Sequence, residues 1–222
     1  MSQRKSNKSS ASNDAEFDVG DAAKECVRFI LIRDGSKIPL KRAEIVKFLN
    51  SACQILPGQV NAVIVEANRL LKRIYGYKLV QVESKSGIQY IMVLTEECES
   101  LQSNVTEPYH RRLLDAALLH IFMTGGSVKE DDMWKFLTEA GLLEENDHSG
   151  RKILTTTFTR QMYLLYTKVG EGDLARYVFE WGQRATEEVP KMFLLNKMAE
   201  AFGKTPNHWC EQYKEATSEN QT

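Results

Sequence analysis

The stretch GYKLVQVESKSGIQYIMVL, Gly76 to Leu94, decides the fold. Tyr77–Val82 and Ile88–Leu94 are rich in β-branched and aromatic residues, and Ser84-Lys85-Ser86-Gly87 between them has turn composition, which together predict a β-hairpin. Working outward, Gln59 to Tyr75 repeats apolar residues at helical spacing (Val60, Val63, Ile64, Ala67, Leu70, Leu71, Ile74), with Gly76 to close it. Before it, Leu56-Pro57-Gly58 breaks the chain, Lys41–Asn50 reads as a helix, and Lys37–Leu40 has room only for a short strand or turn. A first helix runs from about Val19 to Arg33, and Gly35 is placed to take the left-handed position past its end. Helix, short strand, helix, helix, hairpin is the connectivity of a winged helix, with the hairpin as wing.

The pattern then recurs. Glu96–Pro108 is polar and reads as a linker. Arg111–Met123 predicts a helix, and Ser127 to Glu130 fits a capping box for the helix through Leu137. After a loop through His148-Ser149-Gly150, the basic segment to about Tyr166 is expected as a third helix, although Thr155-Thr156-Thr157 is a weak helix interior. Tyr166–Val169 and Arg176–Trp181, joined through GEGD, form a second hairpin; Tyr177, Phe179 and Trp181 share one face by the period of two. A helix from about Glu187 to Phe202 follows, and Thr205-Pro206 opens a last one. The expected fold class is mainly α with small β-hairpin wings: a tail over 1–16, winged helix A over 17–95, a linker over 96–108, winged helix B with a helical extension over 109–216, and a tail over 217–222.

The 222 residues carry 29 basic and 30 acidic side chains, a net charge of −1, so no global field selects nucleic acid or membrane. Charge is nonetheless segregated. Gly150 to Lys168 holds Arg151, Lys152, Arg160 and Lys168 without a carboxylate, a pattern that can neutralise phosphates whatever the base sequence, or simply face solvent. No base-reading pattern accompanies it. Arg4, Lys5 and Lys8 in the tail offer a nucleic-acid contact or a nuclear address, or a solvated tail. The four cysteines, Cys26, Cys53, Cys98 and Cys210, are scattered, which suits a reduced intracellular protein without structural zinc. Four histidines lack metal spacing, no P-loop or nucleophile elbow occurs, and Glu130-Asp131-Asp132 suits a helix's first turn without any acid–base role. Neither catalysis, metal, cofactor nor membrane is expected.

Five segments together resemble the MAGE homology domain: FILIRDGSKIPLKRAEI (29–45), RIYGYKLVQVESKSG (73–87), LLHIFMTGG (118–126), KILTTTFTRQMYLLY (152–166) and YVFEWGQRA (177–185). The resemblance covers about 19–216; Thr159 stands where the family has valine, and Gln183 where it has proline. It implies tandem winged helices without catalysis of their own, and binding to RING-type ubiquitin ligases. The ancestral-type member joins a RING subunit, a kleisin and duplex DNA in the complex built on the fifth and sixth SMC proteins, which implies a nuclear, chromatin-associated protein that could also occur in the cytoplasm. Its paired-leucine position for ligase binding falls on Ile30-Leu31, beside Phe29, in a helix apolar on more than one face; the surplus could equally pack inside. Leu113, Leu114, Leu118, Ile121 and Phe122 are expected as kleisin-groove walls or as core, and Arg151, Lys152, Arg160 and Lys168 as the DNA surface. The other readings are a substrate-recruiting regulator of RING ligases outside that complex and a winged-helix transcription factor.

Overall fold

A computed structural model describes residues 18–84, 87–96 and 107–219. The N-terminal tail with its three cations, most of the linker and the centre of the first wing turn lie outside them.

Helix α1 (Val19–Asp34) starts where the Asp18 side chain accepts the Gly20 N–H at 2.7 Å. Asp21 in its first turn and Arg33 in its last complement the helix dipole. Ala22, Ala23, Cys26, Val27 and Ile30 make its buried stripe, against Val60, Val63, Ile64 and Ala67 of α3 (Val60–Leu70). Gly35 does not take the left-handed turn the sequence suggested: its φ is −56° and its ψ −27°. Lys37 does, at φ +56°, and its side chain is buried against the Asp34 carboxylate. A charged residue accepts this conformation because the Lys37 N–H also bonds the Asp34 carbonyl at 2.9 Å.

β1 (Leu40–Lys41) and α2 (Arg42–Cys53) precede α3. After α3 the chain winds one wider π turn, Leu71–Tyr75, before Gly76 at φ +69° stops it. The extra residue per turn shifts the helical phase, and Ile74, expected inward, is 59% exposed. β2 (Tyr77–Ser84) and β3 (Gly87–Leu94) then pair from Tyr77↔Leu94 to Ser84↔Gly87, and β1 flanks β3 through Leu40↔Tyr90, giving the order β1-β3-β2.

The second unit repeats this plan: α4 (Pro108–Met123), β4 (Ser127–Lys129), α5 (Glu130–Glu139), α6 (His148–Lys152), β5 (Leu164–Val169) and β6 (Arg176–Trp181), with sheet order β4-β6-β5. The capping box is absent. Ser127 is committed to β4 opposite Glu180, and the Glu130 carboxylate accepts the Tyr166 hydroxyl at 2.8 Å. The long third helix is also shorter than expected. It widens into a π segment at Ile153–Phe158, where the Thr155 hydroxyl donates back to the Arg151 carbonyl and that of Thr159 to the Leu154 carbonyl. Met162 at φ +64° reverses the chain, so β5 begins at Leu164 rather than Tyr166.

The expected 187–202 helix is two: α7 (Gln183–Glu188) and α8 (Lys191–Phe202), parted at Val189-Pro190, because proline has no N–H to continue the ladder. Thr205-Pro206 opens a 3₁₀ turn, Pro206–His208, ahead of α9 (Cys210–Glu219). Each unit closes its own core. Ala185, Val189, Leu194, Leu195 and Ala216 of the extension join that of unit B.

Candidate protein- and DNA-binding surfaces

The C-terminal half of α1 is the candidate ligase contact. Ile30 belongs to the core, packed with α3, and offers no surface, which corrects its expected place in the contact. Phe29 is half-buried and stacks on Phe48 of α2, ring centroids 4.3 Å apart. Leu31 is half-buried and Ile32, not singled out from the sequence, is 71% exposed. The apolar surface left at this end of α1 is therefore Ile32 with part of Leu31, beside the Arg33–Glu44 ion pair at 2.8 Å. Helical phase could have found it: one position past a buried residue lies about 100° round the axis, and two positions lie opposite.

The expected groove walls on α4 are mostly core. Leu113, Leu114, Leu118 and Ile121 have no exposure, so their surface is spent inside the unit and the expectation of walls there is corrected. Phe122 is buried too but borders a cavity of about 300 Å³, with Gly126, Leu165, Glu180, Trp181, Lys191 and Glu215 around it. The Trp181 indole N–H donates to the Leu118 carbonyl at 2.9 Å, and its ring lies 5.5 Å from the Lys191 ammonium. Lys191 in turn pairs with Glu215 at 2.7 Å, so α8 and α9 form one wall. The tryptophan is a peg holding β6 to α4 whose edge also lines a cavity. Gly182 follows it because any Cβ there would meet the Met162 carbonyl oxygen at 2.2 Å, a matter of close approach rather than of unusual φ.

The four expected DNA-binding cations do not share one helix. Lys152 ends α6, Arg160 follows the π segment, Lys168 sits on β5, and all three are exposed. Arg151 is half-buried and already engaged: it lies over the Trp134 ring at 5.3 Å and donates to the Glu145 carbonyl at 2.7 Å, unlike the other three.

Shifted titrations follow burial rather than a reactive centre. Burial pushes the Asp115 carboxyl up to about 6, with Arg111 opposing, and the Cys26 thiol up to about 12, which leaves it inert. His120 is lowered by burial in its stack on Phe136, ring centroids 4.0 Å apart. The phenols of Tyr163 and Tyr166 are raised by burial and by the carboxylates they bond, Glu188 and Glu130. Among the described residues no group of three or more His, Cys, Asp or Glu side chains could hold a metal ion, and no helix is long and apolar enough to cross a membrane.

The most consequential residue missed from the sequence is Arg184. It is almost wholly buried, pairs with Glu188 at 2.9 Å and donates to the carbonyls of Gln161, Met92 and Lys37. Nothing local marked it, because its carbonyl acceptors come from residues distant in sequence.

Comparison with known proteins agrees with this architecture. The family model described as MAGE homology domain matches residues 26–109 and 113–192. The human Non-structural maintenance of chromosomes element 3 homolog is 34% identical over 206 residues, 89% of this chain and 66% of that protein. Its mouse counterpart is 32% identical over 206 residues, covering 72% of its length. This chain thus spans a little under two thirds of the human relative. One chain of a solved Nse1-Nse3-Nse4 complex superposes with a TM-score of 0.74 at 30% identity, covering 90% of this chain and 97% of that one.

Proposed function

The chain belongs to the MAGE homology domain family, and from that premise we propose that it is a non-catalytic scaffold subunit of the chromosome-maintenance complex built on the fifth and sixth SMC proteins. In this reading it joins a RING-type ubiquitin ligase subunit to a kleisin, stimulates the ligase, contacts duplex DNA without sequence preference, and works in the nucleus. The carrying observation is the superposition on the Nse1-Nse3-Nse4 chain over nearly its full length, both winged helices included.

The surfaces divide the task. Ile32, with the half-buried Leu31 and Phe29 beside it, forms the ligase contact, because exposed apolar surface on a rigid helix gains by burial against a partner. The cavity bordered by Phe122, Leu165 and Trp181 takes an apolar side chain of the kleisin. Lys152, Arg160 and Lys168 neutralise phosphates. Affinity purification of the tagged chain from nuclei tests the reading. Both SMC proteins, the kleisin and the RING subunit should co-purify in comparable amounts. Recovery of a RING ligase without SMC proteins would replace the scaffold reading by that of a free ligase regulator.

A further inference from the structure

Between the two cores lies a buried guanidinium. Arg184, 1% exposed, stands in the first turn of α7. Its Nε donates to the Gln161 carbonyl at 2.8 Å, its Nη1 to the Met92 carbonyl at 3.0 Å and to Glu188 Oε1 at 2.9 Å, and its Nη2 to the Lys37 carbonyl at 3.1 Å. Met92 and Lys37 belong to unit A; Gln161 and Glu188 belong to unit B. One planar fork thus ties β3 and the turn after α1 to the second unit. The hydroxyl of Tyr163 fixes the other oxygen of Glu188 at 2.7 Å, and its ring lies 5.7 Å from the guanidinium.

The rest of the contact is small. The Gln161 side chain donates to the Ser36 carbonyl at 3.1 Å, and Lys78 pairs with Glu187 at 3.1 Å in a partly exposed bridge. Ile91 and Val93 of β3, members of neither core, are each 1% exposed where α7 packs on β3. The two apolar clusters do not merge, and a seam of a few polar contacts around the Ile91–Val93 patch, between units that each own a core, opens before either core does. Deleting the fork would leave three carbonyls and one oxygen of Glu188 without the donor that Arg184 supplies, a loss confined to this seam.

We infer that Arg184 is a removable clasp that chiefly sets the orientation of the two winged helices, and that without it they persist as folded bodies that swing apart. The narrow crevice beneath it, lined by Leu40, Leu79, Tyr90 and Met92 together with Arg33 and Asp34, then widens. This device stands on the geometry of the seam and is independent of which partners the chain serves.

The test uses the full chain with Arg184→Met, followed by small-angle scattering, calorimetry and binding of a hydrophobic dye. A larger radius of gyration, a pair-distance curve with two lobes, two separate melting transitions and a several-fold rise in dye fluorescence are expected. An unchanged scattering profile would overturn the clasp, and so would loss of both units in one transition, since that would make the chain a single cooperative body. Should Arg184→Met yield no soluble protein, Arg184→Lys decides. It keeps a charge opposite Glu188 but lacks the fork that spans the Met92 and Lys37 carbonyls, so partial expansion is expected and a wild-type profile refutes the inference.

Discussion

Units A and B follow one plan, yet they spend their apolar surface differently. The strand pairings make the comparison residue by residue: Leu40 opposite Tyr90 in A occupies the place of Val128 opposite Phe179 in B, so Met92 answers to Trp181 and Ile91 to Glu180. On the inner face B is aromatic where A is mostly aliphatic, and Phe179 meets Trp134 edge-on at 5.4 Å. On the outer face A is apolar and hidden under α7, whereas B presents Glu180 to its cavity. The first helices differ likewise. Near α4, Gln212 of α9 donates to the Met123 carbonyl at 3.0 Å, while α1 keeps Ile32 bare. The same topology is finished by its own chain in B and left open in A.

Truncating the two equivalent aromatics gives the sharpest contrast. Phe179→Ala should cost about 3–5 kcal/mol of unfolding free energy, because it opens a cavity among Trp134, Tyr166 and Val128 that cannot collapse. Tyr90→Ala, at a half-buried site, should cost clearly less. Urea titration of both variants measures the difference, and equal losses would deny that B is the stiffer unit.

The open surface of A can be probed next. Leu31→Ala with Ile32→Ala should weaken RING-ligase binding more than tenfold, about 1.4 kcal/mol or more, with a modest drop in melting temperature from the half-buried Leu31. Ile30→Ala should do the opposite, since its side chain is core. Isothermal titration beside thermal melts separates the two. A ligase that ignores Leu31 and Ile32 would leave that surface without its proposed partner.

For unit B the same logic applies to charge. Lys152→Glu with Arg160→Glu should weaken duplex binding and reduce the slope of log K against log salt by about 2. Arg151→Ala should leave the slope unchanged and lower stability instead, since its guanidinium covers Trp134. Affinity measured over a salt series checks both.

The plan common to the units was legible because each hairpin announces itself by a period of two and several boundaries carry a glycine or proline. Gly76 and Pro57 did as the sequence required. What was illegible depends on partners distant in sequence. Nothing local separates a π turn from an α turn at Leu71–Tyr75, and Ser127 fits a cap as well as it fits a strand until Glu180 arrives beside it. Among the site residues, the apolar content of α1 and α4 was evident but its direction was not. Ile30 and Leu118 face inward, Ile32 outward, and burial is a property of the assembled unit. Arg184 was hidden for the same reason: three of its four acceptors are backbone carbonyls, which any residue could supply.

The smallest effect comes from a charge that unit B buries without full compensation. Asp115 on α4 has one carboxylate oxygen buried without a hydrogen-bond donor, and burial lifts its carboxyl to about 6. The unfolded chain holds an aspartate near its ordinary value of about 4, so between that value and about 6 the folded state binds more protons than the unfolded state. Stability contributed by the neutral form is therefore fully present below about pH 4 and lost as pH rises to about 6, above which the fold carries an ionised, poorly solvated group. Asp115→Asn should raise the melting temperature by a few degrees at pH 7.5, with the gain shrinking to nothing by about pH 4. A gain equal at both pH values would locate the benefit in packing rather than charge, and a loss at pH 7.5 would mean that the ionised carboxylate has found a donor in Arg111, one turn before it on the helix.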